Sequence, residues 1–293
     1  MHPSFPVYSI GHFINQPDNP TPFEITLFGQ MEEPDVEDPH KHGFYEVIWI
    51  DAGQSRQIID YADYCLLPQS LFFISPGQLH FFVEWEHLEG GSVLFTEDFF
   101  LLNQQNQDKL FELSFLDNFH AHPLLPLSAE GFAEIRQTID WLIKEKSRPD
   151  YSPSIAQSML HVLLSQIQRN IDSTRTSAYP KHYVITYKKF KRLIDEHFQY
   201  NLSVSAYAER LHLTQHHLNR ICKQVCGKTA GEMIRSRSLL EAKRMLTFSD
   251  LSVSEIAAQL HIFDPSYFAR QFRRETGATP AGFRKSMSEK YRL

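Results

Sequence analysis

Two sets of residues in this 293-residue chain have types and spacings suited to chemistry. The first lies in "PHKHGFYEVIWIDAG", which holds His40, His42 and Glu46, with Gly53 at its end. Further on, "SPGQLH" supplies His80. On a strand, His40 and His42 face the same side, because side chains alternate with period two. Imidazole and carboxylate groups ligate transition metals, and they equally hydrogen-bond small polar molecules. The second set is a pair of segments, "LHLTQHHLNRICKQVCGKT" at 211–229 and "LHIFDPSYFARQFRRETGATP" at 260–280. Each opens on Leu-His, passes a short polar turn, and sets an arginine (Arg220 or Arg270) on a basic helical face. An arginine so placed can bond guanine O6 and N7 together, and Asn or Gln can do the same for adenine. Each good pair discriminates by about 1–3 kcal/mol.

The elements that position these residues follow from composition and periodicity. Residues 1–22 carry Pro3, Pro6, Pro17, Pro20 and Pro22 and read as an extended arm. From Phe23 to about Leu125 the chain alternates short runs rich in Ile, Val, Phe and Tyr with turn signals, which predicts an antiparallel sandwich or barrel. After Pro126 the spacing turns helical. Phe132, Ile135, Ile139 and Leu142 or Ile143 mark one helix, and Ile155, Met159, Val162, Leu163 and Gln166 mark the stripe of a second. This pair (126–171) packs on the sheet or forms a homodimer seam. The polar stretch at 172–182 reads as a linker, and 183–293 reads as helix throughout.

Charge divides the same way. The net charge of −6 conceals a value of +10 for 181–293 and of −16 for 1–180. A basic block beside an acidic one suits a nucleic-acid-binding module joined to a separate module. Three cysteines do not make a disulfide framework. No apolar run reaches the roughly 18 residues of a membrane span, and the N-terminus shows no signal-peptide pattern. A reducing cytoplasm is expected.

Each repeated segment reads as the turn and second helix of a helix-turn-helix unit. Ser203 and Thr214 are the expected helix caps in the first unit, and Ser252 (with Glu255) and Asp264 in the second. Ala208 and Ala257 are small at matching positions, and Leu218 and Phe268 point inward. The outer face then carries His216, His217, Asn219, Arg220 and Lys223 in the first unit. In the second it carries Ser266, Tyr267, Arg270, Gln271, Arg273 and Arg274. Lys223, Arg273 and Arg274, further along, suit phosphate.

The second unit resembles the signature of the AraC/XylS family of bacterial transcription regulators. The likeness rests on Ile256, Ala257, Asp264, Ser266, Tyr267, Phe268, Arg270, Phe272, Arg273, Gly277, Thr279, Pro280, Phe283 and Arg284. The first unit matches through Ala208, Leu211, Leu218, Arg220, Lys223 and Gly227, and the likeness covers about 183–286. It implies two reading helices entering successive major-groove segments, about 34 Å apart. Two departures stand out: His212 and His261 occupy the family's turn glycine, and Cys222 replaces an expected Phe. Zinc binding by these His is not expected, since no ligand set surrounds them.

The pattern His40-x-His42-x3-Glu46-x6-Gly53, with His80 following, resembles the two short motifs of the cupin barrel. The resemblance implies a small-molecule site in the barrel, with His40, His42, Glu46, Trp49 and His80 as its candidate residues. The barrel aromatics to draw on are Phe44, Tyr45, Trp49, Phe72, Phe73, Phe81, Phe82 and Trp85, of which alternation allows only part. The arm is expected at the pocket mouth or against the DNA-binding domain. The expected fold is therefore α+β: a cupin-like, jelly-roll-like antiparallel barrel (1–125) with two helices, then an all-α domain of two helix-turn-helix units joined by a long helix. The expected function is a regulator binding double-stranded DNA, controlled by a small-molecule effector. It is expected to be an activator, a homodimer and a partner of RNA polymerase, with no catalytic residue, cofactor or membrane. The alternative is a metal-dependent cupin enzyme using His40, His42, Glu46 and His80.

Overall fold

The computed structural model of the chain describes residues 5–31, 38–84, 87–102, 110, 113–116, 123–172 and 180–291. The chain divides into two units, 4–178 and 179–293. Most of the expected linker, 173–179, lies outside the described residues, as does Trp85. Among the described residues no helix is long and apolar enough to cross a membrane.

Among the described residues the first unit has ten strands: β1 (Val7–Tyr8), β2 (Phe23–Leu27), β3 (Lys41–His42), β4 (Tyr45–Ala52), β5 (Ser55–Ile59), β6 (Ala62–Leu66), β7 (Ser70–Ile74), β8 (His80–Glu84), β9 (Glu89–Phe95) and β10 (Leu124–Pro126). Five form an antiparallel sheet in the order β10-β7-β4-β9-β2, and three form a second sheet, β6-β5-β8. The run "RQIIDYADYCLL" becomes the β5–β6 hairpin. Its turn residues Asp60 and Tyr61 both take positive φ (45° and 77°), the left-handed twist that suits a two-residue hairpin.

The large sheet is buried on both faces. Val47, Trp49, Leu71, Phe73, Val93 and Phe95 meet a helical layer. That layer is α1 (Glu97–Leu101), α2 (Ala129–Lys146) and α3 (Pro153–Asp172). Ile48, Ile50, Phe72, Ile74 and Leu94 meet Ile59, Leu66 and Phe82 of the small sheet. The proline-rich arm adds Ile10 and Phe13 to this inner core, and β1 pairs with β3, so the arm closes onto the barrel. The buried stripe of α3 is Ala156, Leu160, Leu163, Leu164 and Ile167, rotated by one position from the expected stripe. Ile155 and Val162 consequently stand about half exposed. Helix α1, a single turn capped by Thr96, is too short to leave a periodic signal.

The second unit is all helix: α4 (Lys181–His197), α5 (Val204–Arg210), α6 (Gln215–Cys226), α7 (Ala230–Phe248), α8 (Val253–Gln259), α9 (Pro265–Thr276) and α10 (Pro280–Tyr291). The four caps read from the sequence form: Ser203, Thr214, Ser252 and Asp264 each accept a backbone N–H from the first turn. Thr229 and Glu232 add a capping box at the start of α7. Each helix-turn-helix has its own core. Ala208, Leu218 and Ile221 belong to the first, and Ala257, Phe268 and Phe272 to the second.

Candidate effector site and nucleic-acid interface

The interior of the barrel is polar at one end. His40 and His80 face each other across a bridge between their backbones, with ring centroids 4.3 Å apart. His42 Nε2 donates to Glu46 Oε2 at 3.3 Å, and Ser92 Oγ donates to Glu46 Oε1 at 2.6 Å. The ring of His42 stacks on Phe44 at 4.0 Å. His80 Nδ1 donates to the Gln78 carbonyl at 3.1 Å, which leaves its lone pair on Nε2. Burial, with His40 and His42 beside it, holds His80 well below the ordinary imidazole range, so this ring is neutral at pH 7.

Among the described residues several polar atoms of this interior have no protein partner: His42 Nδ1, Thr26 Oγ1, and both amide atoms of Gln57. Gln57 is fully buried. It pairs across strands with Phe82 and Tyr64, which places it on the barrel's inner face. Thr26 pairs with Ser92, which pairs with the inward-facing Ile48. An unpartnered buried amide costs about 1–3 kcal/mol, so such atoms ask for an explanation. Among the described residues the buried Lys and Arg are Lys188, Lys191, Arg237 and Arg244, all in the helical unit.

The structure corrects one candidate. Trp49 does not enter this interior. It stands three residues after Glu46 on β4, and an odd separation puts it on the opposite face. There its indole is buried in the helical-layer core, its Nε1 donates to Asp51 at 3.0 Å, and Arg136 covers the ring at 5.4 Å. Its cross-strand partner is Gly91, where a Cβ would sit 2.6 Å from the indole. The same alternation sends Tyr45 and Phe73 to the helical side and Phe44, Phe72 and Phe82 to the interior. Gln57, Thr26 and Ser92 were missed. The one signal available was a lone glutamine inside an apolar strand run.

As a metal centre, the group contracts from four to three. His42, Glu46 and His80 bring ligand atoms within 4.8 Å of one another, all buried, and this donor set fits a transition metal. His40 stands outside it, with Nδ1 donating to the Asp38 carbonyl at 2.7 Å.

On the helical unit, the capped turns aim α6 and α9. His212 and His261 both hold positive φ (55° and 52°), the backbone that a turn glycine would adopt. His216, Arg220 and Lys223 of α6 are exposed, as are Ser266, Tyr267, Arg270, Arg273 and Arg274 of α9. Three candidates turn aside. Asn219 Oδ1 accepts the Ala230 N–H at 3.0 Å and so caps α7. His217 is half-buried near the Tyr183 ring, at 6.0 Å. Gln271, half-buried, occupies the position of the buried Ile221 in the first unit. Arg270 leans on Asp264 at 3.8 Å, and Lys223 on Glu232 at 3.8 Å. Two exposed residues were missed, Gln224 beside Lys223 and Phe263, which is 95% exposed ahead of α9. Burial pushes the Cys222 thiol up to about 12, with Cys226 adding to it; Cys222 is a small core residue at the position that Phe272 holds in the second unit.

A sheet domain with a polar interior and a paired helix-turn-helix domain define a two-domain, ligand-binding DNA-reading protein. Residues 24–163 match the AraC-like ligand binding domain, and residues 207–286 match a helix-turn-helix domain. The HTH-type transcriptional activator RhaR of Cronobacter sakazakii is 23% identical over 90% of this chain and 93% of its own length. RhaS of Pectobacterium carotovorum is 25% identical over 89% of this chain and 92% of its own. Among solved structures, ToxT of Vibrio cholerae covers 90% of this chain and 98% of its own, at 13% identity and a TM-score of 0.40. The chain belongs to the AraC/XylS family: it is a DNA-binding transcriptional regulator controlled by a small-molecule effector, and not an enzyme.

Proposed function

We propose that the effector lies in the barrel among His42, Glu46, His80, Gln57 and Thr26, beside His40. The observation that carries this is the cluster of buried polar atoms without protein partners. The unpartnered groups on offer are mixed: Gln57 Nε2 donates, Gln57 Oε1 and His42 Nδ1 accept, and Thr26 Oγ1 can do either. No lysine or arginine among the described residues is buried there to balance an anion, and Glu46 repels one. The effector is therefore a small polar molecule that offers both donors and acceptors, hydroxylated or amino, and not a carboxylate or phosphate. A thermal-shift panel of neutral polyols, amines and organic acids tests it. A specific binder at about a hundredfold over its Kd adds about 2.7 kcal/mol. Stabilisation by organic acids alone would overturn the assignment. A transition metal on His42, Glu46 and His80 is the second reading, favoured by the 4.8 Å grouping. Stoichiometric metal in the purified protein, lost in His42→Ala, would establish it.

The DNA-reading residues we infer are His216, Arg220 and Ser266, Tyr267, Arg270 for bases, and Lys223, Arg273 and Arg274 for phosphate. Phe263 suits the C5-methyl of a thymine. Asn219 positions α7. The relatives RhaR and RhaS carry the name of transcriptional activators, which supports activation, and with it contact with RNA polymerase. The half-exposed Ile155 and Val162 on α3 support a homodimer seam. The reading of double-stranded DNA supports a cytoplasmic location.

A further inference from the structure

A short 3₁₀ turn, Phe198–Tyr200, followed by Asn201, precedes the first reading unit. Phe198 packs against the cores of both helix-turn-helix units. The Arg237 guanidinium covers its ring at 3.8 Å. That guanidinium bonds Asp195 at 2.8 Å and Glu241 at 3.0 Å, and Arg244 shares Glu241 at 3.2 Å. Both arginines are buried, where charge pairs are screened less than at the surface. At the far end of the segment, the Tyr200 ring lies 6.0 Å from the His261 ring, and Asn201 Nδ2 donates to the His261 carbonyl at 3.4 Å. His261 is the positive-φ residue of the second unit's turn. The segment ahead of the first reading helix therefore grips the turn that aims the second.

We propose that residues 198–201 act as a strut fixing the pose of α6 relative to α9, and so determine the half-site spacing the protein accepts. Two heads joined by one long helix alone would tolerate its bending. One added base pair moves a half-site by about 3.4 Å and about a tenth of a turn, which a braced pair of heads does not follow. These are positioning residues; DNA contact stays with α6 and α9, and the proposal rests on that assignment. The first unit supplies an internal control. His212 holds the same backbone at φ 55°, and among the described residues its ring and carbonyl have no such partner.

The test is selection from a random duplex library with the full chain, followed by affinity measurements on the selected sequence. That sequence is compared with the same half-sites one base pair further apart. The variants are Asn201→Gly/His261→Gly and, as control, His212→Gly. Glycine holds positive φ without strain, so each variant keeps its turns. Wild type and His212→Gly should share one spacing. In the double variant the preference for that spacing should fall about fivefold, the value of a lost hydrogen bond. A double variant with the wild-type ratio, or a wild type that binds both spacings alike, overturns the strut. A wild type that enriches no paired half-sites would instead remove the assignment of α6 and α9 as reading heads.

Discussion

Gln57 gives the sharpest test of the effector site, because a structural and a ligand-binding glutamine predict opposite signs. It is fully buried on β5 with both amide atoms unpartnered. Methionine has nearly its length and shape and no polar atom to strand. Gln57→Met should therefore remove a desolvation cost of about 2 kcal/mol, the middle of the range for an unmet buried polar group. For a unit of this size, each kcal/mol moves the midpoint by about 2–4 °C, so the sheet unit should melt about 4–8 °C higher without effector. The assay is calorimetry of the wild type and Gln57→Met in the absence of effector, followed by the effector response. Thr26→Val, also isosteric, should shift in the same direction by less. The response to effector should be weakened in both, since retaining a destabilising group is characteristic of a binding site. A lower midpoint for Gln57→Met would refute the reasoning and make Gln57 a satisfied structural residue.

Four further outcomes follow from the geometry. Arg220→Ala or Arg270→Ala should each cost about 1–3 kcal/mol of operator binding and relax one base position, read by titration against single-base operator variants. Lys223→Ala should weaken binding evenly across sequences and reduce the salt slope by about 1. His80 is harder to protonate folded than unfolded, so the unfolded chain takes up the proton first. Stability is thus whole above about pH 6.5 and falls as pH drops towards the folded pKa, by up to about 1.4 kcal/mol per pH unit. His80→Gln should flatten that loss in melting curves between pH 5 and 7. Native protein should react with a thiol reagent at the exposed Cys65 and leave the buried Cys222 unmodified until unfolding. Prompt modification of Cys222 would contradict its burial.

What was legible in the sequence was what local rules govern. Ser203, Thr214, Ser252 and Asp264 announced four helix starts, because a cap needs only a side-chain oxygen and the next turn's amides. The two turn histidines were flagged by the family's glycine, and both hold positive φ. Tertiary choices were not legible. Strand β4 shows no alternation, since both of its faces are buried, so Trp49 read as a pocket residue although its parity with Glu46 already opposed that. The Asp60-Tyr61 turn lacks the usual Asn-Gly signal, which hid the β5–β6 hairpin and with it the inward face of Gln57. Asn219 looked like a base reader until the start of α7 was seen to use its oxygen.

The positions that break local rules fall into two groups with different compensations. His212 and His261 strain the backbone where glycine would not, at sites of the same fold and nearly the same φ. The backbone is nearly the same in both units, but among the described residues His261 alone gains the contact of the Tyr200 ring and the Asn201 amide. Gln57 and Thr26 leave polar atoms unmet inside the barrel, and no protein group among the described residues repays them. For His261 the compensation is already inside the fold; for Gln57 and Thr26 the proposed effector supplies it. Natural proteins depart from consistent local design mainly where function requires it. By that criterion the barrel interior, with nothing among the described residues to offset its cost, is the stronger candidate for selection by a ligand than the histidine turns.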